Sequence, residues 1–185
     1  MADLEAMAAV ARSCDRCALA ETRTQVVFGS GDPGAGLLLL GEAPGADEDR
    51  TGLPFVGRSG QLLRRLVAEE VGLTGDRCYT TNVVRCRPPA NRDPRPEEVA
   101  ACAPWLEGEL DAVDPTVVVT LGNAATRRLL ETKEGITTLR ARTHRWRGRT
   151  VVPTFHPAAA LRGGPTKVAA MRADLALARA ALGAP

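Results

Sequence analysis

The stretch GEAPGADEDRTGLPFVG, residues 41–57, gathers four carboxylates, Glu42, Asp47, Glu48 and Asp49, among four glycines and two prolines, with Phe55 as its one aromatic. Proline and glycine at this density cannot continue a helix or a central strand. A long polar loop of this kind is usually functional or disordered, and a functional one would hold a metal, a phosphate or a neutral ligand. A second chemical centre lies in the cysteines. Cys14 and Cys17 form a C-x-x-C pair, a spacing that lets two thiolates grip one centre, and Cys86 and Cys102 follow with fifteen residues between them. Disulfides are unlikely in a chain that stays in a reducing compartment. Zinc would favour a second C-x-x-C, which the chain lacks. An iron–sulfur cluster tolerates irregular spacing, and spacing alone leaves the two metals open. Cys78 falls inside a strand-like run and reads as a core residue.

The elements that must position these residues follow from hydrophobic patterning. Short apolar or β-branched runs at 37–40, 78–84, 116–121 and 150–155 read as buried parallel strands. Apolar residues at three- and four-residue steps mark helices over 58–71, 96–113 and 166–182. Strands alternating with helices imply a parallel sheet covered on both faces. Ligands then bind beyond the carboxyl ends of the strands. Glu42 follows the first strand, Asn82 stands near the end of the second, and His156 follows the last, so three strands deliver them to one edge. The stretch GSGDPG, residues 29–34, matches G-x-G-x-x-G only in letters: it precedes a strand instead of following one, and no dinucleotide site is expected there.

Composition sets the outer limits. With 185 residues, 44% hydrophobic and 25% charged, the chain is expected to form one domain over residues 1–185. No apolar run approaches a membrane span, and the N-terminus lacks the basic and apolar regions of a secretory signal. A cytoplasmic protein with no membrane association is expected. Net charge is only +2, yet from Gly135 to Ala173 there are eight basic residues and no acidic one. A segment of one sign attracts polyanions, so this segment is expected to track a nucleic-acid backbone, against the plainer reading of a solvated face.

Several motifs fall in the order seen in one family. C-D-R-C, GEAPGADEDRTGLPFVGRSGQLL, YTTNVVRCRPPANRDPRPEE, the cysteine of ACAPWL, and FHPAAALR together span Cys14 to Arg162. In these the chain resembles the family 4, iron–sulfur uracil-DNA glycosylases. The resemblance implies a three-layer αβα sandwich around a short, mainly parallel four-stranded sheet. It implies a structural [4Fe–4S] cluster on Cys14, Cys17, Cys86 and Cys102, and a monomeric enzyme that hydrolyses the bond between uracil and deoxyribose in uracil-containing DNA. The acidic loop would then line a pocket for a flipped-out, neutral base.

The resemblance also assigns roles. Phe55 would stack on uracil, and Asn82 would accept from N3–H and donate to O4. His156 would donate to O2, where charge grows as the glycosidic bond breaks. Glu42 would stabilise the cationic sugar or position water. The backbone N–H of Ala43 would contact uracil, Glu48 would wall the C5 side against a thymine methyl, and Asp47 and Asp49 would be solvated. Two departures stand out. Ala158 replaces the serine that commonly follows His-Pro in other families, which puts one phosphate contact in doubt. The proline-rich segment holds no histidine of the kind a related class uses to trap DNA covalently, so ordinary turnover is expected. The competing readings are a non-catalytic iron–sulfur DNA-binding module and a zinc-stabilised nucleotide hydrolase using the acidic loop for Mg²⁺.

Overall fold

The computed structural model describes residues 4–183. Four parallel strands form its centre: β2 (Leu37–Gly41), β3 (Tyr79–Asn82), β4 (Val117–Leu121) and β6 (Arg149–Thr154). The sheet has six strands and not four, in the order β1-β3-β2-β4-β6-β5. The additions are short antiparallel edges, β1 (Ser30–Gly31) on β3 and β5 (His144–Trp146) on β6. Two- and three-residue strands carry no apolar run, which is why patterning passes over them.

Alternation along the strands builds the three layers. Leu37, Leu39, Val117, Val119 and Val152 face one side, where α3 (Arg58–Val71) and α7 (Pro157–Ala181) supply Leu63, Leu66, Met171 and Leu175. Leu38, Leu40, Val118 and Val151 face the other, against Leu106, Leu110 and Val113 of α4 (Pro96–Val113) and Leu129 of α5 (Asn123–Leu130). Burial on both faces explains the unbroken LLLL and VVV runs. α1 (Leu4–Ala11), α2 (Ala46–Thr51) and α6 (Ile136–Leu139) are shorter peripheral helices.

Local chemistry sets the helix ends. Pro96 opens α4, and Glu98, at its third position, accepts from the Arg95 N–H at 2.8 Å and so caps that end. α7 begins earlier than periodicity suggests, at Pro157, and is broken at Gly164 (φ 70°) before Pro165. The periodic stretch is its second half; the first is a short segment directly after His156. The chain order reverses across β2 and β4, which opens a crevice at the carboxyl edge of the sheet. Among the described residues, no helix is long and apolar enough to cross a membrane.

Candidate active site

A cleft of about 410 Å³ opens at that carboxyl edge. Glu42, Ala43, Glu48, Phe55, Asn82 and His156 all line it, so the structure brings together every residue singled out for a base pocket. Ser59, Asn91, Arg92, Ala158 and Arg162 complete the walls. Ser59, Asn91 and Arg92 had no expected role, because a loop residue's direction is invisible before the loop is folded.

Asn82 ends β3 and is 2% exposed, and its Oδ1 has no hydrogen-bond partner. A buried acceptor left unpaired is costly, so this atom marks where a ligand donor would sit. Gly41 stands opposite Asn82 in register on β2. A Cβ at position 41 would lie 2.4 Å from Asn82 Oδ1 and 2.5 Å from Phe55 Cζ, so glycine lets the amide and the ring close over the strand end. Phe55 adopts φ 54°, an outlier for a bulky side chain. The turn is held by Arg64, which donates to the Phe55 carbonyl, and by the close approach of α3: a Cβ on Gly60 would lie 1.7 Å from that carbonyl oxygen. The Phe55 ring lies 6.2 Å from the His156 ring, tilted by 34°.

His156 is the N-cap of α7, and its Nδ1 accepts from the Ala158 N–H at 3.2 Å. That bond places the proton of the neutral ring on Nε2. Burial, and then the Arg162 charge, push the imidazole down to about 4 against the opposing pull of Glu48. The ring is therefore a neutral N–H donor at physiological pH.

The acidic loop divides its labour. Glu48 does line the cleft, but both of its oxygens are engaged: Oε2 accepts from Gly45 N–H at 3.1 Å and Oε1 from Gly57 N–H at 2.9 Å, clasping the two ends of the loop. Asp49 is not solvated as expected. It is 5% exposed and accepts from the N–H groups of Thr24 at 2.9 Å and Gln25 at 3.4 Å, because α2 turns it inward toward the N-terminal segment. Asp47 is exposed and pairs with Arg50 at 3.2 Å. Glu42 keeps its carboxyl for the cleft. Burial first, and then the neighbouring Asp93 carboxylate, raise it to about 7. Asp93, from the proline-rich segment, was not foreseen. With Glu42, His156, Asn123 and Arg127 it lines a second, more open groove of about 990 Å³, so Glu42 and His156 form the wall between two cavities.

The basic segment is not one continuous track. Arg140 forks onto Asp174, Arg149 pairs with Asp114, and Arg172 pairs with Glu69 and Glu70. Lys167 and Arg140 lie over Phe155, at 5.5 and 5.1 Å from its ring centroid. Arg145 and Arg147 belong to the β5–β6 hairpin, whose turn precedes β6 and so lies at the end of the sheet away from the cleft. Of the eight basic residues, Arg162 is the one that lines the cleft.

Cys14, Cys17, Cys86 and Cys102 line one small apolar cavity with Trp105, Arg23 and Arg85. Arg23 donates to Cys86 Sγ at 3.5 Å, and the Arg85 backbone N–H donates to Cys102 Sγ at 3.3 Å. Among the described residues, no three His, Cys, Asp or Glu side chains converge as ligands of a single metal ion do. Cys78 lies across the sheet in the α3–α7 layer, fully buried and away from the other four.

The sequence model of the uracil DNA glycosylase superfamily matches residues 28–176. A type-4 uracil-DNA glycosylase of Sulfurisphaera tokodaii is 43% identical over 157 residues, covering 80% of this chain and 71% of that protein. The type-4 enzyme of Saccharolobus solfataricus is 39% identical over 175 residues, covering 90% and 81%. That of Thermotoga maritima is 43% identical over 153 residues, covering 82% and 79%. By the extent of these matches and by its fold, the chain belongs to the uracil DNA glycosylase superfamily.

Proposed function

We propose that the chain is a monofunctional uracil-DNA glycosylase that initiates base excision repair. The observation that carries the reading is the buried, unpartnered Asn82 Oδ1 in a cleft walled by Phe55 and a neutral His156. A flipped base would lie on the Phe55 ring. Asn82 Oδ1 would accept from N3–H of uracil while its Nδ2 donates to O4. Cytosine reverses that donor and acceptor order and leaves buried groups unpaired, the arrangement that gives the strongest discrimination. As the C1′–N1 bond breaks, its electron pair leaves with uracil and charge builds on O2. The His156 Nε2–H is the donor aimed at that charge, and it needs no proton transfer to act. Water adds to C1′ and gives its proton to Glu42, whose position near neutrality suits a base. Ala43 lends backbone contact, and Glu48 shapes the pocket by holding the loop.

At the rim, Leu161 is 44% exposed immediately before Arg162. An exposed apolar side chain beside a phosphate-reaching cation suits a wedge that fills the stack once the base leaves. The cysteine cavity fits a [4Fe–4S] cluster on Cys14, Cys17, Cys86 and Cys102. Its donors are four sulfurs with no nitrogen or carboxylate, two N–H groups point at sulfur, and each thiolate of a cluster binds a different iron, so close convergence on one point is not required. When bound, the cluster supplies structure: it pins the N-terminal segment to α4 and to the segment after β3. We read the chain as a monomer and one domain acting in the cytoplasm on DNA. Among the described residues the exposed large apolar side chains are Val10, Leu53 and Leu161, from three separate segments.

The test is release of free uracil from an oligonucleotide carrying one uracil, in EDTA, beside iron analysis of the purified protein. Uracil release with iron bound is expected, and a colourless, poorly soluble product is expected for Cys102→Ala but not for Cys78→Ala. Intact uracil-DNA after prolonged incubation overturns the reading.

A further inference from the structure

Arg85 is 1% exposed and Glu109 fully buried, and their side chains form an ion pair inside the α4 layer. Glu109 also accepts from the Gly29 N–H at 2.8 Å, the Tyr79 hydroxyl at 3.2 Å and the Thr81 hydroxyl at 2.7 Å. A buried ion pair gains little over apolar packing, and its best-attested use is to specify one arrangement. The arrangement specified here is legible. Val83 N–H donates to Gly41 O at 2.9 Å, so by alternation the Asn82 carbonyl points away from β2. On that side β1 has already ended, since it pairs only with Tyr79 and Thr80. The Arg85 guanidinium supplies the missing donor: it bonds the Asn82 carbonyl and Glu109 together. The same residue's backbone N–H reaches Cys102 Sγ, and Cys86 is its chain neighbour. Cys102 and Glu109 stand seven residues apart on one face of α4, so one helix face carries both the cysteine and the acceptor of the guanidinium.

We propose that Arg85 is a positioning residue that ties the backbone of Asn82, and through it the direction of the side-chain amide, to the cysteine site, so that occupancy of the cluster and recognition of uracil are thermodynamically linked. The linkage rests on the assignments of Asn82 to the base and of the four cysteines to a cluster. It makes the cluster more than a remote staple: its loss would loosen the residue that reads the base.

The test uses the holoenzyme, with free uracil as the probe. Arg85→Lys keeps the charge but gives up the fork that reaches two acceptors. Arg85→Met combined with Glu109→Met replaces the pair by apolar side chains, and it also strands the Gly29, Tyr79 and Thr81 donors that Glu109 accepts from. Folded variants, judged by circular dichroism, are expected to bind uracil about tenfold more weakly, the scale of one lost buried hydrogen bond. Free uracil is expected to slow chelator-driven bleaching of the cluster in the parent, by reciprocity of linkage, and to give no protection in either variant. Should the methionine pair fail to fold, Arg85→Lys alone decides. Parent-like uracil affinity with parent-like protection in a folded variant overturns the proposal and leaves the pair as core filling. Asn82→Ala locates the fault. If it binds uracil like the parent, the base assignment fails and the linkage with it; if it binds weakly while the Arg85 variants do not, the linkage alone fails. A parent protein without iron removes the cluster and the linkage together.

Discussion

The carboxyl of Glu42 gives a prediction whose size comes from the site itself. A carboxylate that must be ionised to accept a proton from water, with its titration raised to about 7, imposes an acid limb on the single-turnover rate. Below that point the rate falls by about tenfold per pH unit, so between the alkaline plateau and pH 5 roughly a hundredfold is lost. His156 cannot produce this limb, because burial and Arg162 hold it neutral down to about 4. The charged groups on the same cleft are Glu48, Arg92 and Arg162, and Asp93 faces Glu42 from the second groove. Of these, Asp93 is the one that raises Glu42, second only to burial. Asp93→Asn is therefore expected to move the limb to lower pH without returning it to the ordinary carboxylate range, since burial remains. DNA phosphates add charge of the same sign as Asp93, so the limb in the complex lies at or above that of the free protein. The assay is single-turnover release from a saturating uracil oligonucleotide between pH 5 and 9, at constant ionic strength, for parent, Asp93→Asn and Glu42→Gln. A limb that persists in Glu42→Gln, or does not move in Asp93→Asn, would refute the assignment.

The same shift carries a stability sign. Glu42 binds its proton more tightly folded than unfolded, so its contribution to stability is full below the unfolded value of 4.5 and is lost as pH rises through about 7. Glu42→Gln should accordingly melt higher than the parent at pH 8, with the advantage gone near pH 4. A carboxyl held against its own solvation preference costs the fold something.

Three further outcomes follow from the geometry. His156→Ala should lose on the order of 10²–10³ in single-turnover rate while keeping its affinity for DNA, because its donor acts on charge that appears only in the transition state; an unchanged rate moves the role elsewhere. Gly41→Ala should abolish uracil binding while the protein still melts cooperatively, since the added carbon would collide with both Asn82 and Phe55; parent-like uracil affinity would show that the two side chains yield freely. Arg162→Gln should lower the salt slope of DNA binding by about one unit, whereas Arg140→Ala should leave the slope alone and cost about 3 kcal/mol of stability by stranding the fully buried Asp174; the opposite pattern, read from salt titrations and thermal melts, would restore the basic segment as a DNA track.

Much of this was legible because parallel strands buried on both faces must be apolar along their whole length. LLLL and VVV announce themselves, and the residues just beyond their carboxyl ends, Glu42 and His156, inherit a location. What stayed hidden depends on partners distant in sequence. Nothing near Arg140, Arg149 or Arg172 says that each meets a carboxylate 34 to 103 residues away, so eight cations read as one surface when several are internal ties. Asp49 looks like its solvated neighbour Asp47 until α2 turns it inward. Glu109 did leave a trace: it follows Leu106 by three residues and Cys102 by seven, on the stripe of α4 that faces the sheet. An acid on an apolar stripe asks for a buried cation, a signal that could have pointed to Arg85 in the apolar NVVRC segment.

The acidic loop can now be read carboxylate by carboxylate. Asp47 is spent on a surface pair, Glu48 on the backbone of its own loop, and Asp49 on the segment that leads back to the first two cysteines. Only Glu42 is left facing the cleft, with Asp93 beside it from another loop. A divalent cation would need several ionised oxygens turned toward one point, and the loop has committed Glu48 and Asp49 to backbone N–H groups and Asp47 to Arg50. Glu42 and the unpaired Asn82 Oδ1 would repel a phosphate set against them, although Arg92 and Arg162 also line the cleft. What suits these walls is a flat, uncharged ring that donates at one edge to Asn82 and accepts from His156 as its bond to the sugar fails. The loop is acidic because its fold needs anchors; its chemistry needs a single carboxylate.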